Sequence, residues 1–477
     1  MVVGLALRDH ANDDAYITFR HARNLVEGNG FAFNPGDRLL STTAPLHALV
    51  LALLTLLTRS GFEQVPRLAI ALSTVSMMAL CVSTLYVLDK IGQLYAGLAS
   101  LFLIASQHWF YRFYPLETVM QLALEMALIA AALDRRWLLA GAVAGLAIIT
   151  RADSTLLVFV VLLYAFAAER SFGPVLRLGS TCALVSLPWF ALASVYYGSP
   201  LPNTLAAKSG FSWFAYVAAL WPKVLRYLFF DRTFWSADQT LLSAMLTAFA
   251  LVGCVISAKR RSPILILPLW GMLHLIGYTL LRVPTFSWYY APLVLVLIVM
   301  ACIGASALIE PILRKDHGKH VNLIKSVLIG SGAACFVISS LFSCLSFAAT
   351  YRTAYWEGAR DQAYRRVASW LEQNADRTAT VALAEVGTIG YFSDRRVIDL
   401  YGLVTYELRN LPKQGSWMDA IARFDPDYVV GVGTHPPDPD LTGVDGYVAV
   451  ERFLKDGESN RFEDIVIYQR RSDAAGQ

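Results

Sequence analysis

This chain has little charge. Only 16% of its 477 residues are Asp, Glu, Lys or Arg, against 56% hydrophobic, and the mean hydropathy is +0.49. That composition argues against a soluble globule and for a polytopic membrane protein. The net charge of +4 is small and spread along the chain, so nothing calls for a nucleic-acid partner. The six cysteines (Cys81, Cys182, Cys254, Cys302, Cys335 and Cys344) all lie in apolar stretches. None has metal-ligand spacing, which argues against zinc sites and structural disulfides and leaves small buried apolar residues. No repeat or low-complexity tract stands out, and no cleavable signal peptide is visible. Met1 to Leu7 is an apolar stub too short to span anything.

What is present is a series of long apolar runs. A bilayer core needs roughly 20 helical residues. Expected spans are 67–88, 94–111, 116–133, 178–196, 240–258, 263–281, 289–309 and 324–347. Two shorter ones, 137–150 and 153–168, flank Thr150-Arg151-Ala152-Asp153, and 44–58 is apolar but short, partly inserted or lying at the surface. Arg135-Arg136, Lys259-Arg260-Arg261 and Arg314-Lys315 with Lys319 mark the cytoplasmic side by their charge. The loop around Asp13, together with 111–117, 151–153, 197–239 and 282–288, then shares the outer face with the C-terminal region. From about Tyr351 the composition turns polar. A helix is expected over 352–373, with Tyr355, Ala359, Ala363, Val367 and Trp370 on one side. Short apolar runs at 379–384, 396–400, 427–432 and 464–468 follow, separated by turn signals such as Gly-Thr-Ile-Gly and His-Pro-Pro-Asp-Pro. The fold class expected is mainly α: a transmembrane bundle over 1–349 with its first outer loop at 9–43, and an extracytoplasmic α/β domain over 350–477.

The chemistry is concentrated in NDDAYITFRHARNLVEGNGFAFNPGDRLLSTTAPL, residues 12–46. A helix is expected over 14–26. Ala15, Phe19, Ala22 and Val26 form its apolar stripe, with Arg20, Arg23 and Asn24 off it. Gly28 and Gly30 end it, and Asn34-Pro35-Gly36 turns the chain. Asp13 and Asp14 in a first helical turn meet unpaired N–H groups and the positive dipole end, which favour the carboxylate. The pair can serve as a general base or as metal ligands; the plainer alternative is an Asp13 N-cap with Asp14 solvated beside it. Glu117 stands at an outer helix start, either a dipole carboxylate or a site residue. Glu125, two turns deeper, fits an interior hydrogen bond. Arg151 with Asp153 is either an interfacial ion pair or a planar fork for a lipid phosphate. Lys208 and Arg282 are further candidate contacts on the same face. Trp288-Tyr289-Tyr290 are expected as interfacial anchors. In the C-terminal region the glycines of Glu385-Val386-Gly387-Thr388-Ile389-Gly390 fail the spacing of a dinucleotide loop.

The 12–46 stretch resembles the first extracytoplasmic loop of the GT-C superfamily of polytopic glycosyltransferases, which use polyprenyl-phosphate sugars. The nearest pattern, DDAYI…RYA.NL..G.G.VFNPGE…TSPL, belongs to the bacterial branch that includes mycobacterial arabinofuranosyltransferases. This chain departs from it at Leu40-Ser41-Thr42 and Thr43-Ala44-Pro45. The likeness continues at Leu116-Glu117-Thr118, at Thr150-Arg151-Ala152-Asp153, at Pro200-Leu201-Pro202-Asn203-Thr204 with Lys208, and at Val397-Ile398-Asp399. Such proteins normally carry a transmembrane helix just before this loop. The resemblance implies a polyprenyl-phosphate sugar donor, a glycan, lipid or protein acceptor, and inverting transfer at the outer face of the cytoplasmic membrane. It implies an aspartate base, placed at the first acidic position of the loop, Asp13, with Asp14 orienting the acceptor or holding a metal. Arg20, Glu117, Arg151, Asp153, Lys208 and Arg282 are then candidate substrate contacts. A divalent metal, Mg or Mn, is left open as a cofactor, with Asp14 and Glu117 as its candidate ligands. A flippase of lipid-linked substrates and an inactive lipid-binding homologue are the alternatives.

Overall fold

The computed structural model describes residues 12–106, 108–204, 239–282, 286–314, 356–408, 417–432, 446–453 and 465–471. The expected span 324–347, Lys208, Lys315, Lys319 and the His-Pro-Pro-Asp-Pro turn lie outside the described residues. The chain divides into two compact units. A helical unit takes residues 1–6, 71–189 and 209–348; a loop-and-sheet unit takes 7–70, 190–208 and 349–477.

The helical unit comprises most of α3 (Val65–Lys90), α4 (Leu94–Ser106), α5 (Thr118–Leu133), α6 (Trp137–Thr150), α7 (Thr155–Glu169), most of α8 (Phe172–Tyr197), α9 (Gln239–Lys259), α10 (Ile266–Leu281) and α11 (Ala291–Arg314). Among the described residues five helices are long and apolar enough to cross a membrane: Phe62–Lys90, Ala152–Glu169, Phe172–Tyr197, Pro263–Leu281 and Ser287–Ile309. Shorter apolar stretches are Leu94–Ala105, Thr118–Leu133, Trp137–Thr150 and the Met245–Lys259 part of α9. Apolar lipid gives these helices little reason to associate, so small residues that admit close backbone contact matter. A Cβ on Gly253 would stand 2.1 Å from the Met300 carbonyl oxygen, and one on Gly304 1.9 Å from that of Phe249. Glycine is what lets α9 and α11 touch backbone to backbone. Gly141 does the same for α6 against α8, at 2.4 Å from the Leu178 oxygen.

Polar side chains mark two ends of this bundle. At one, Tyr86 and Lys90 bond Asp134 at 2.8 Å, and Trp137 Nε1 donates to Glu169 at 2.7 Å. At the other, Glu117, Arg151 and Tyr278 meet. Tyr289 and Tyr290 are only 6% and 1% exposed. They are therefore bundle core, which corrects the expectation of surface anchors; Trp288 stacks on Phe286 at 4.7 Å.

The loop-and-sheet unit is built on α1 (Asp13–Val26), α2 (Pro45–Thr58), α12 (Trp356–Asn374), α13 (Val386–Ser393), α14 (Trp417–Phe424) and a five-stranded sheet. The strands are β1 (Thr380–Leu383), β2 (Arg396–Asp399), β3 (Tyr428–Val432), β4 (Tyr447–Phe453) and β5 (Ile465–Arg470), in the order β2-β1-β3-β5-β4. β2, β1 and β3 are parallel, and β5 is antiparallel to β3 and β4. Alternation along the strands divides the core. Val381, Leu383, Val430 and Ile467 face Tyr364, Val367 and Leu371 of α12. Ala382, Ile398, Val429 and Tyr468 face Ala420 and Ile421 of α14. The buried stripe of α12 keeps Ala363 and Val367 and adds Tyr364 and Leu371, with Trp370 partly buried. α2, 14 residues long with Leu53, Leu56 and Leu57 exposed, is too short to cross a bilayer unaided.

The largest departure from the expected elements is the Gly-Thr-Ile-Gly turn, which is the first part of helix α13. Its glycines are there for contact. A Cβ on Gly387 would meet the Asp13 carbonyl oxygen at 1.9 Å, and one on Gly390 the Arg20 Nη1 at 2.9 Å. α1 and α13 thus pack with almost nothing between them.

Candidate active site

α1 runs from Asp13 to Val26, and Asn12 caps it, its Oδ1 accepting the Asp14 N–H at 3.3 Å. Asp13 is therefore not the cap of its own helix. Its Oδ1 accepts the Thr388 N–H at 2.7 Å and its Oδ2 the Gly387 N–H at 3.1 Å. Those amides belong to the first turn of α13, where helical N–H groups lack intrahelical partners. Asp13 is 5% exposed. Burial pushes its pKa up to about 7, the negative charge of Glu385 adds to this, and Arg360 and the Thr388 amide pull it back. Arg360 Nη1 lies 3.5 Å from Glu385 Oε2. Asp14, one residue on, is half-buried. The two carboxylates are thus unequal: one is fixed on two amides, the other stands nearer to solvent.

The polar residues expected off the α1 stripe are buried as well. Arg20, 3% exposed, donates to the carbonyls of Gly390 at 2.6 Å and Arg395 at 2.7 Å, over the Phe33 ring. Expected as a substrate contact, it is here a clamp on the C-terminal half of α13, where carbonyls favour a cation. Arg23 bonds Glu27, the Tyr391 carbonyl and Asp394. His21 Nδ1 lies 2.7 Å from the Ile17 carbonyl oxygen and Nε2 3.1 Å from Ser41 Oγ. This fits a neutral ring with the proton on Nδ1, and burial lowers its pKa to about 4. Asn24 Nδ2 donates to the Ala32 and Phe33 carbonyls. Asn34 pairs with both the N–H and the C=O of Val397, in the manner of a strand residue.

One joint was not foreseen. The Asn203 N–H donates to the Leu40 carbonyl at 2.8 Å, and its side chain donates to those of Gly402 and Leu403. The sequence signal for this joint is the Pro-Leu-Pro-Asn-Thr segment, which supplies Asn203.

In the helical unit Glu117 and Arg151 are buried and Asp153 nearly so. Arg151 Nη1 donates to Glu117 at 2.7 Å, Nη2 to Asp153 at 3.0 Å and to Tyr278 Oη at 3.1 Å, and Nε to Asp153 at 3.3 Å. Four of the five guanidinium N–H groups are so engaged, and the Tyr289 ring lies 5.0 Å from the guanidinium carbon. Gln121 links Asp153 to Glu125, which also accepts from Ser154 at 2.8 Å. Glu125 is thus in the interior hydrogen bond expected of it. Arg282 is exposed and ends α10 in the left-handed conformation at φ 53°. Asp14 and Glu117, the candidate metal ligands, belong to different units, and Glu117 Oε1 is held by Arg151. Among the described residues no group of three or more His, Cys, Asp or Glu side chains is placed to hold a metal ion.

Over almost its whole length the chain is similar in structure to ArnT from Cupriavidus metallidurans. The apo state matches with a TM-score of 0.62 at 14% identity, over 98% of this chain and 95% of that one. The form bound to undecaprenyl phosphate matches at 0.61 and 15%, over 100% and 97%. The Archaeoglobus fulgidus oligosaccharyltransferase, tethered with an acceptor peptide containing the NVT sequon, matches at 0.59 and 12%, over 90% and 68%. A family described as "Domain of unknown function (DUF8728)" matches residues 350–470. No curated protein matches the chain in sequence. At these identities the likeness concerns the fold. The chain is a multi-pass membrane protein of GT-C fold, mainly helical with a C-terminal mixed sheet, as its sequence led us to expect.

Proposed function

We propose that this protein is a membrane glycosyltransferase that moves a sugar from a polyprenyl-phosphate donor to an acceptor hydroxyl, with inversion, on the extracytoplasmic face of the cytoplasmic membrane. The observation that carries the reading is the carboxylate pair Asp13–Asp14. It heads a buried helix in a chain whose fold, end to end, is that of a protein crystallised with undecaprenyl phosphate. Asp14 takes the proton of the acceptor hydroxyl as its oxygen attacks the anomeric carbon. The bond from that carbon to the phosphate oxygen breaks, and the electron pair leaves on polyprenyl phosphate. A positioned base contributes roughly 10²–10⁴-fold. Asp13, fixed on α13, sets the position of Asp14. The leaving phosphate gains charge and calls for cations; Arg151, Lys208 and Arg282 are the residues we assign to it. Arg151 has one N–H left for this role and is otherwise held by Glu117 and Asp153.

The sidedness follows from charge. Lys90, Arg135, Arg136, Arg170 and Lys259 to Arg261 gather at the helix ends on the Asp134 side of the bundle. By the positive-inside tendency that end is cytoplasmic. The test is purified full-length protein with defined polyprenyl-phosphate sugars and candidate acceptors. Sugar-dependent release of polyprenyl phosphate is expected. Donor binding without release would point to the lipid-binding homologue, and vectorial movement of intact donor across vesicles to a flippase.

A further inference from the structure

The helical unit holds a second feature that transferase chemistry does not use. A cavity of about 330 Å³ opens among the ends of α3, α9 and α10, lined by Lys90, Gln93, Ser257, Arg260, Arg261 and Ser262. Its apolar walls are Ile91, Ile256, Ile264 and Ile303. The sequence explains why it forms. The glycine contact of α9 with α11 brings Ile256 and Ile303, each close in sequence to a contact glycine, to the same cavity. Arg261, at φ 49°, ends α9, and Ser262 caps the next helical turn through the Ile264 N–H. Lys90 is paired with Asp134 at 2.8 Å. Arg260 and Arg261 are exposed and have no ion-pair partner among the described residues.

We propose that this cavity binds the phosphodiester headgroup of an anionic phospholipid from the adjoining leaflet. Two cations and several hydrogen-bond donors at the mouth suit a phosphate. The isoleucine walls suit the glycerol and first acyl carbons that accompany it, and a soluble phosphate has no use for them. Basic pockets between membrane helices are a recognised setting for such headgroups. The inference is independent of the transferase reading, because no residue proposed for transfer lines the cavity.

The experiment uses the full-length protein in phosphatidylcholine nanodiscs with and without phosphatidylglycerol. It follows retained lipid by native mass spectrometry and stability by thermal melting. The double variant Arg260→Gln/Arg261→Gln should lose about tenfold or more in phosphatidylglycerol affinity, and Arg260→Lys/Arg261→Lys should keep most of it. Arg135→Gln/Arg136→Gln, a basic pair at the same end but outside the cavity, should keep it too. Equal losses in both Gln pairs would mean general attraction of a basic surface and overturn the proposal. So would stabilisation by inorganic phosphate alone, which would make the ligand soluble, or the absence of any preference for phosphatidylglycerol. Turnover with polyprenyl-phosphate sugar, measured alongside, keeps this test separate from that of the proposed transfer.

Discussion

Replacing each aspartate of the pair by asparagine should give two different defects. Asparagine in place of Asp14 keeps the size of the side chain and the backbone N–H bond to Asn12, but cannot accept a proton as a carboxylate does. Asp14→Asn should therefore fold and bind donor normally and lose about 10²–10⁴-fold in turnover. Asp13→Asn acts on the structure. Both Asp13 oxygens accept backbone N–H groups, from Gly387 and Thr388. An amide has one oxygen and one NH₂, so one of those N–H groups would face another donor. Leaving a buried donor without an acceptor costs about 1–3 kcal/mol, a lowering of the melting temperature that calorimetry resolves. Turnover should fall with it, because the start of α1 loses its anchor. The assay combines polyprenyl-phosphate release, donor affinity and melting temperature for both single variants. Full turnover in Asp14→Asn would refute the assignment. Asp13→Asn that melts like the parent and binds donor, yet has no turnover, would make Asp13 the base instead.

Gly387→Ala places a methyl group 1.9 Å from the Asp13 carbonyl oxygen. It should destabilise the loop-and-sheet unit by about 1–3 kcal/mol or more, read as a lower melting temperature and earlier proteolysis between 350 and 408. Arg151→Ala leaves Glu117 and Asp153 without their cation and should cost about 3–5 kcal/mol; Arg151→Lys keeps the charge and should recover folding while binding donor more weakly. Unchanged donor affinity in Arg151→Lys would confine Arg151 to a structural role. His21 has a folded pKa lowered to about 4 by burial. The stability it contributes is present above its ordinary value near 6.5 and is lost as pH falls towards 4. The raised Asp13 acts in the opposite sense over much of that window, its protonated form favouring the fold as pH drops below about 7. The comparison that isolates His21 is with His21→Gln, whose melting temperature should fall less between pH 7 and pH 5 than that of the parent.

Long apolar runs made the helices legible. α3 and α7 to α11 lie where hydropathy places them, because lipid leaves a spanning helix few alternatives. β1, β2, β3 and β5 were visible as short apolar runs. β4, Tyr447–Phe453, was not: it is an outer strand that is mostly not buried, its apolar run is broken by the adjacent Glu451 and Arg452, and its register is irregular at Ala449 and Glu451. The sequence of α13 suggests a turn, because two glycines in four residues break an isolated helix. In the protein those glycines admit α1, a contact 370 residues away in sequence. Arg20 and Arg23 are covered in the same way by α13 and the residues that follow it. Sequence periodicity places a residue on a face but does not say that a distant segment covers it. Tyr278, the partner of Arg151 and Asp153, lay inside a long apolar run without local signal.

The recurring residues of the first loop are, for the most part, partners of one another's neighbours. Asp13 holds Gly387 and Thr388, Arg20 holds Gly390 and Arg395, Asn34 holds Val397, and Asn203 joins Leu40 to Gly402. The loop signature and the segments around Gly387, Val397 and Gly402 are thus two sides of one joint, written in separate parts of the chain. A joint made from backbone amides and carbonyls tolerates change at almost every other side chain. It also changes what the signature means. Asp13, Arg20 and Asn34, three of its letters, specify how a short helix is gripped by a sheet domain. A letter-by-letter likeness in this loop is therefore evidence of fold first. The chemistry we propose rests on Asp14, half-buried beside Asp13, whose two bonds to the start of α13 fix the helix turn that carries both carboxylates.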